Sequence, residues 1–173
     1  LGDVYKRQML ERTIRKLKDG VEDGIPEPDP VLEISVDGYI PDDYIADPRY
    51  KLELYRRFAG LDYGEKDDLL DEIIDRFGEP PEEVEVLWRV ACLRALCRLL
   101  HIRGISVKPG ELRITFAENA AIDPTALMKL ISEQQQYMNF KSGVQAQLIF
   151  RTVKLKTDSL TWLEKNLPRL AFD

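Results

Sequence analysis

Arg94-Ala-Leu-Cys-Arg-Leu-Leu-His-Ile-Arg-Gly-Ile-Ser-Val-Lys-Pro-Gly-Glu-Leu-Arg-Ile-Thr-Phe116 is the stretch in which the hydrophobic period of this chain changes. Up to about His101 the apolar positions repeat at helical spacing. Beyond it Ile105 and Val107, a Pro109-Gly110 turn, then Leu112, Ile114 and Phe116 alternate with a period of two, as a β-hairpin does. Upstream, Pro80-Pro81 opens the long helix that ends at His101. Val84, Leu87, Trp88, Ala91, Ala95, Leu96 and Leu99 form one stripe on it, and Val86, Val90, Leu93 and Cys97 a second. A helix apolar on most sides is a central one. Downstream, Asp123-Pro124 starts a helix with Ala126, Leu127, Leu130 and Ile131 inside. Tyr137–Phe140 and Val144–Phe150 flank Ser142-Gly143 as a second hairpin, and Asp158 caps a last helix bearing Leu160, Leu163, Leu167 and Leu170. The pattern predicts an α+β domain, a helical layer of three main helices packed with two β-hairpins and two further helices.

The other two main helices precede the long one. Val31–Val36 alternates and is β-branched, which reads as a strand. Tyr39-Ile-Pro-Asp-Asp-Tyr-Ile45 reads as a turn with buried apolar anchors. Asp47-Pro48 pairs an N-cap carboxylate with proline at the first helical position. The helix it starts carries Leu52, Tyr55, Phe58 and Ala59 on one side and stops at Gly60. A second runs from about Glu65 to Phe77 with Leu69, Leu70, Ile73, Ile74 and Phe77 apolar, and Gly78 stands where a left-handed cap is needed. Nearer the N-terminus, residues 9–19 read as a helix with Leu10, Ile14 and Leu17 on one face and Arg12, Arg15, Lys16 and Lys18 on the other. Residues 20–30 are rich in proline, glycine and acids and read as a linker. Residues 1–8 read as boundary sequence outside the fold, with Leu1 rather than methionine suggesting a piece of a longer protein, and 31–173 as the domain proper.

Composition narrows the function. The chain has 173 residues, 44% apolar and 32% charged, with a net charge of −6. An acidic chain without a dense basic stripe is poorly suited to neutralising phosphates, so direct nucleic-acid binding is not expected. No apolar run reaches the ~18 residues of a membrane span. Cys92 and Cys97 lie on one helix, about 7.5 Å apart along its axis and on different faces. They should stay unpaired, as in a reducing cytoplasm. His101 is the single histidine, which removes His-His metal pairs; at a helix end it reads as a partner for the helix dipole. No phosphate-cradling glycine loop and no nucleophile elbow are present, so no catalytic residue, cofactor or metal is expected in this chain. Trp88 and Trp162 sit among apolar neighbours and read as core.

One pattern stands apart. Asp68, Asp71, Glu72 and Asp75 fall at i, i+3, i+4 and i+7 of the second helix, which places four carboxylates on one face. Like charges at this spacing cost about 0.2–0.5 kcal/mol per pair on an isolated helix. Asp75 also lies near the C-terminal end, where the dipole disfavours anions. A solvated acidic face is the commoner outcome of such a run. A docking face for a basic partner is the alternative that would turn the cost into a gain. A Mg²⁺ or Ca²⁺ cluster is remote, because side chains along one exposed helix do not surround an ion.

These segments resemble a known family, the C-terminal domain of the bacterial transcription-repair coupling factor. Tyr39-Ile-Pro-Asp-Asp-Tyr-Ile45 is similar to its hydrophobic-P-D-D-(Y/F)-I signature, and Leu54-Tyr55-Arg56-Arg57 to the helix that follows. Glu72-Ile-Ile-Asp-Arg-Phe-Gly78 with Pro80-Pro81 resembles its E-(L/I)-x-D-R-F-G-x-(L/P)-P segment. Arg94 and Leu100-His-Ile-Arg103 fit the next block, and Met9-Leu-Glu11 the helix leaving the motor. The resemblance runs from about Met9 to Leu170 and is looser in the last third. It implies a non-catalytic regulatory module of an ATP-dependent DNA translocase that removes stalled RNA polymerase and recruits UvrA. ATP and Mg²⁺ would act in motor domains absent here. The module would fold onto a UvrB-like module of the same protein and hide the UvrA-binding surface, with Glu72 and Asp75 gripping basic residues and Asp68 and Asp71 in support. UvrA and RNA polymerase would then be indirect partners. The alternative is an accessory DNA-contacting domain using Arg89, Arg94, Arg98 and Arg103, although those arginines also suit pairing with the acidic helix.

Overall fold

The computed structural model describes residues 29–152, 155 and 157–172. The expected helix at 9–19 and the linker up to residue 28 lie outside them. The described residues fall into two compact units, 35–95 and a second formed by the residues before 35 together with 96–172.

Unit 35–95 is helical. Helix α1 (Pro48–Ala59) opens as its sequence dictates, with the Asp47 carboxylate accepting from the Arg49 backbone N–H at 2.9 Å and Pro48 at the first position. The Arg49 guanidinium on Asp47, then its backbone N–H, hold that carboxyl below the usual range. Helix α2 (Lys66–Phe77) follows a single 3-10 turn at Tyr63–Glu65. It ends at Gly78, whose φ of +87° is positive as expected but whose ψ of −177° lies outside the left-handed helical region, an extended conformation open only to a residue without a side chain. Helix α3 (Glu82–Leu100) contributes its residues up to Ala95. The core is a cluster of Ile40, Ile45, Leu54, Phe58, Leu61, Leu69, Ile73, Val84, Ala91, Cys92 and Ala95.

The buried stripe of α1 differs from the expected one. Leu54 and Phe58, four residues apart, face the core, whereas Leu52 and Tyr55 are 51% and 39% exposed. Leu54, Phe58 and Leu61 continue one line into the core, and Tyr55 serves as a polar anchor: its hydroxyl accepts from the Ile40 N–H at 3.0 Å.

The second unit is built on one five-stranded sheet, β1 (Val31–Glu33), β2 (Ile102–Lys108), β3 (Glu111–Phe116), β4 (Met138–Lys141) and β5 (Gln147–Arg151), ordered β1-β2-β3-β5-β4. The two expected hairpins are present and are joined through β3 and β5, antiparallel. Strand β1 is shorter than Val31–Val36 and pairs parallel with β2. Leu32, Ile105, Ile114, Leu148 and Phe140 occupy one cross-strand row, and Leu112, Phe150 and Met138 the adjacent one. Helices α4 (Pro124–Glu133) and α5 (Ser159–Asn166) bring Leu130, Leu160, Trp162 and Leu163 into this core. Trp162 stacks on Phe150 with ring centroids 4.8 Å apart. Val144, expected in the second hairpin's outgoing strand, is 82% exposed in its loop, because β5 begins only at Gln147. Cys92 and Cys97 are buried thiols that are not joined in a disulfide. His101, the residue after the end of α3, has a φ of +54° and a buried Nδ1 without a hydrogen-bond partner.

No helix among the described residues is long and apolar enough to cross a membrane.

Candidate partner-binding site

Helix α2 is fixed by its apolar side. Leu69 and Ile73 are 3% and 1% exposed. Burying such a side chain stabilises by about 1.5–3 kcal/mol, several times what an exposed charge pair contributes. The packing of these two residues therefore decides which way the carboxylates face, and charge pairing does not. Trp88 of α3 secures the start of α2 by donating its indole N–H to the Lys66 carbonyl at 2.8 Å. At the other end the Tyr44 hydroxyl donates to the Gly78 carbonyl at 2.7 Å. Burial, then the nearby Glu79 charge, push the Tyr44 phenol up from its ordinary value, so it remains a donor.

Asp68, Asp71 and Asp75 are exposed, and Glu72 is half-buried. They are not equivalent. Glu72 is already ion-paired within the unit, its Oε2 taken by Arg57 of α1, with Arg76 Nη1 3.9 Å from the same oxygen. Arg76 also reaches Glu53 Oε1 at 3.4 Å. Its guanidinium carbon lies 4.9 Å from the Phe77 ring centroid and 5.7 Å from that of Tyr50. No ion pair to Asp68, Asp71 or Asp75 occurs among the described residues. The expectation of four open carboxylates is therefore corrected at Glu72. The reason is tertiary: the residue meeting it comes from another helix, fifteen positions earlier in the chain.

Between α1 and α2 lies an open groove of about 820 Å³. Arg49, Arg56 and Arg57 line it together with Glu65, Asp68 and Glu72, and Leu61 and Leu69 are also part of its lining. The pattern was legible only in part. The acidic residues share one helix and show in the spacing, whereas the facing arginines show only once two helices are packed. Of the arginines considered for nucleic acid, Arg98 pairs with Asp29 at 3.0 Å and Arg103 is exposed. The arginines on Glu72 are Arg57 and Arg76 and not that series. Among the described residues no group of three or more His, Cys, Asp and Glu side chains is placed to hold a metal ion.

A helical bundle carrying an acidic helix, followed by a sheet unit, defines a small α+β module. Residues 34–127 match the TRCF domain family. The transcription-repair-coupling factor of Bacillus subtilis is 35% identical over 131 residues, covering 74% of this chain and 11% of that protein. That of Escherichia coli is 27% identical over 174 aligned positions, covering 98% of this chain and 15% of that protein. A crystal structure of the C-terminal domain of transcription-repair coupling factor superposes with a TM-score of 0.69 at 25% identity, covering 84% of this chain and 91% of that one. The chain belongs to the TRCF domain family, a domain of transcription-repair coupling factors, and spans about a seventh or less of the length of these two relatives.

Proposed function

We propose that this chain is the autoinhibitory clamp of its parent repair protein. The outer face of α2 holds a basic surface of a UvrB-like module and so covers the surface that recruits UvrA. Rearrangement of the motor on DNA or at a stalled polymerase breaks the hold. The clamp itself does no chemistry on this reading: ATP and Mg²⁺ act in motor domains elsewhere in the parent protein, in the cytoplasm. The observation that carries the proposal is Asp75, exposed on a helix anchored from behind by Leu69 and Ile73 and lying in the D-R-F-G motif shared with the family resemblance. Such a charge is costly near a helix C-terminus unless something positive meets it.

The test is the double variant Glu72→Ala/Asp75→Ala in the intact parent protein. Between one and two exposed charge contacts at about 1 kcal/mol each correspond to a shift of roughly five- to thirtyfold between closed and open forms. UvrA binding, measured by surface plasmon resonance, is expected to tighten accordingly while the melting temperature holds. Unchanged UvrA affinity in a folded double variant would count against the clamp.

A further inference from the structure

We infer that Arg57 is an internal stand-in for the partner's cation, occupying Glu72 in the free domain and weakening the clamp because it must be displaced. This rests on the clamp reading above and concerns regulation of the same site.

Three observations lead to it. First, Arg57 and Arg76 both address Glu72 Oε2, but they are held differently. Arg76 also pairs with Glu53 and lies against the rings of Phe77 and Tyr50, which fixes it in place. Among the described residues, the ion-pair partner of Arg57 is Glu72 alone. Second, that pair is accessible, with the Arg57 side chain 39% and the Glu72 side chain 42% exposed. An exposed pair is readily exchanged for another of the same type, since it stabilises little by itself. Third, Glu72 lies in a groove lined by Arg49, Arg56 and Arg57 together with Glu53, Glu65 and Asp68. A cation drawn to Glu72 there meets the Arg57 guanidinium already on Oε2 and has to take its place. Asp75 has no such occupant among the described residues. The two motif acids should therefore contribute unequally, Asp75 by direct attraction and Glu72 only after an exchange of arginines.

Arg57 is on this account a specificity-setting residue of the clamp that acts through Glu72. The experiment is calorimetric titration of the 173-residue chain with the UvrB-like module of its parent protein at low salt. Arg57→Ala is expected to tighten binding by about two- to fivefold, the exchange value of one exposed ion pair. Arg57→Lys should leave binding near the wild-type value. In a Glu72→Gln background most of the gain from Arg57→Ala should vanish, because the carboxylate it releases is gone. A purely structural role for Arg57 would not produce that dependence. Arg57→Gln keeps the aliphatic stem and serves as the deciding variant should Arg57→Ala melt early. Asp75→Asn is expected to weaken binding more than Glu72→Gln does. Unchanged or weaker binding on removing Arg57, with Glu72→Gln/Asp75→Asn still weakening it, overturns the stand-in and leaves the clamp. Full affinity in that last double variant overturns both.

Discussion

At Gly78 and His101 the backbone enters conformations that side chains rarely adopt, and the two positions predict opposite responses. Gly78, at φ +87° and ψ −177°, closes α2 and gives its carbonyl to the Tyr44 hydroxyl. A Cβ there meets nothing within 4 Å, so the penalty for Gly78→Ala is torsional, about 1–3 kcal/mol. His101 stands at φ +54° where α3 gives way to β2 and leaves Nδ1 buried without a partner. Left-handed backbone costs a non-glycine residue roughly 1–2 kcal/mol. His101→Gly is therefore expected to raise stability by about 0.5–1 kcal/mol, the remainder being lost with the half-buried ring and with glycine's greater freedom when unfolded. Urea unfolding checks both, and a stability loss in His101→Gly would show that the ring's packing outweighs the strain. The sequence suggested the glycine, because Phe-Gly after an apolar run is a local signal. The histidine's geometry depends on where β2 must go, and nothing in the neighbouring residues announces it.

Among the elements, those set by neighbouring residues were legible and those set by distant pairing were not. Asp47, Asp123 and Asp158 each cap the helix expected of them, accepting from Arg49, Thr125 and Thr161 backbone N–H groups at 2.9, 3.0 and 2.7 Å. The change of period after His101 marked both strands of the first hairpin. The joining of β3 to β5, and the parallel pairing of β1 with β2, depend on residues up to about seventy positions apart, and a periodic pattern carries no record of which strand lies beside which. Gly104 shows what the β1 pairing requires. A Cβ built there would lie 2.8 Å from the Val31 carbonyl oxygen, a backbone atom that cannot turn aside. Gly104→Ala is thus expected to displace β1, a three-residue edge strand, while the β2–β3 register persists. Hydrogen–deuterium exchange should report faster exchange in residues 31–33 and on the facing edge of β2, with β3 and β5 protected as before. Unchanged protection of residues 31–33 would mean that the strands part slightly and remain paired. The acidic face follows the same division. Its four members share a helix and were visible, and Arg57, which quenches one of them, was not.

For the whole molecule, the distribution of charge matters more than its sum. Residues 35–95 hold sixteen Asp and Glu against eight Lys and Arg, a net −8, whereas residues 96–173 hold seven against eleven, a net +4. The net −6 thus conceals an acidic unit whose field can draw in a basic partner from beyond contact distance. Screening shortens from about 10 Å at 0.1 M salt to about 3 Å at 1 M, so such steering should act on encounter and fade with salt. Stopped-flow mixing of this chain with the UvrB-like module is expected to show an association rate falling roughly tenfold or more between 0.05 and 0.5 M NaCl, and a dissociation rate changing far less. Glu72→Gln/Asp75→Asn should flatten only part of that slope, because the remaining acids of residues 35–95 still supply the field. The surplus of bases after residue 95 makes duplex DNA the informative probe. A domain meant to hold phosphates would bind DNA tightly, with an affinity dropping steeply as salt rises. On the clamp reading the chain by itself should bind duplex DNA no tighter than the non-specific range of about 10⁻⁴ to 10⁻⁶ M. Nanomolar, salt-steep DNA binding by the chain alone would instead place the working surface on the sheet unit and make the acidic helix a bystander.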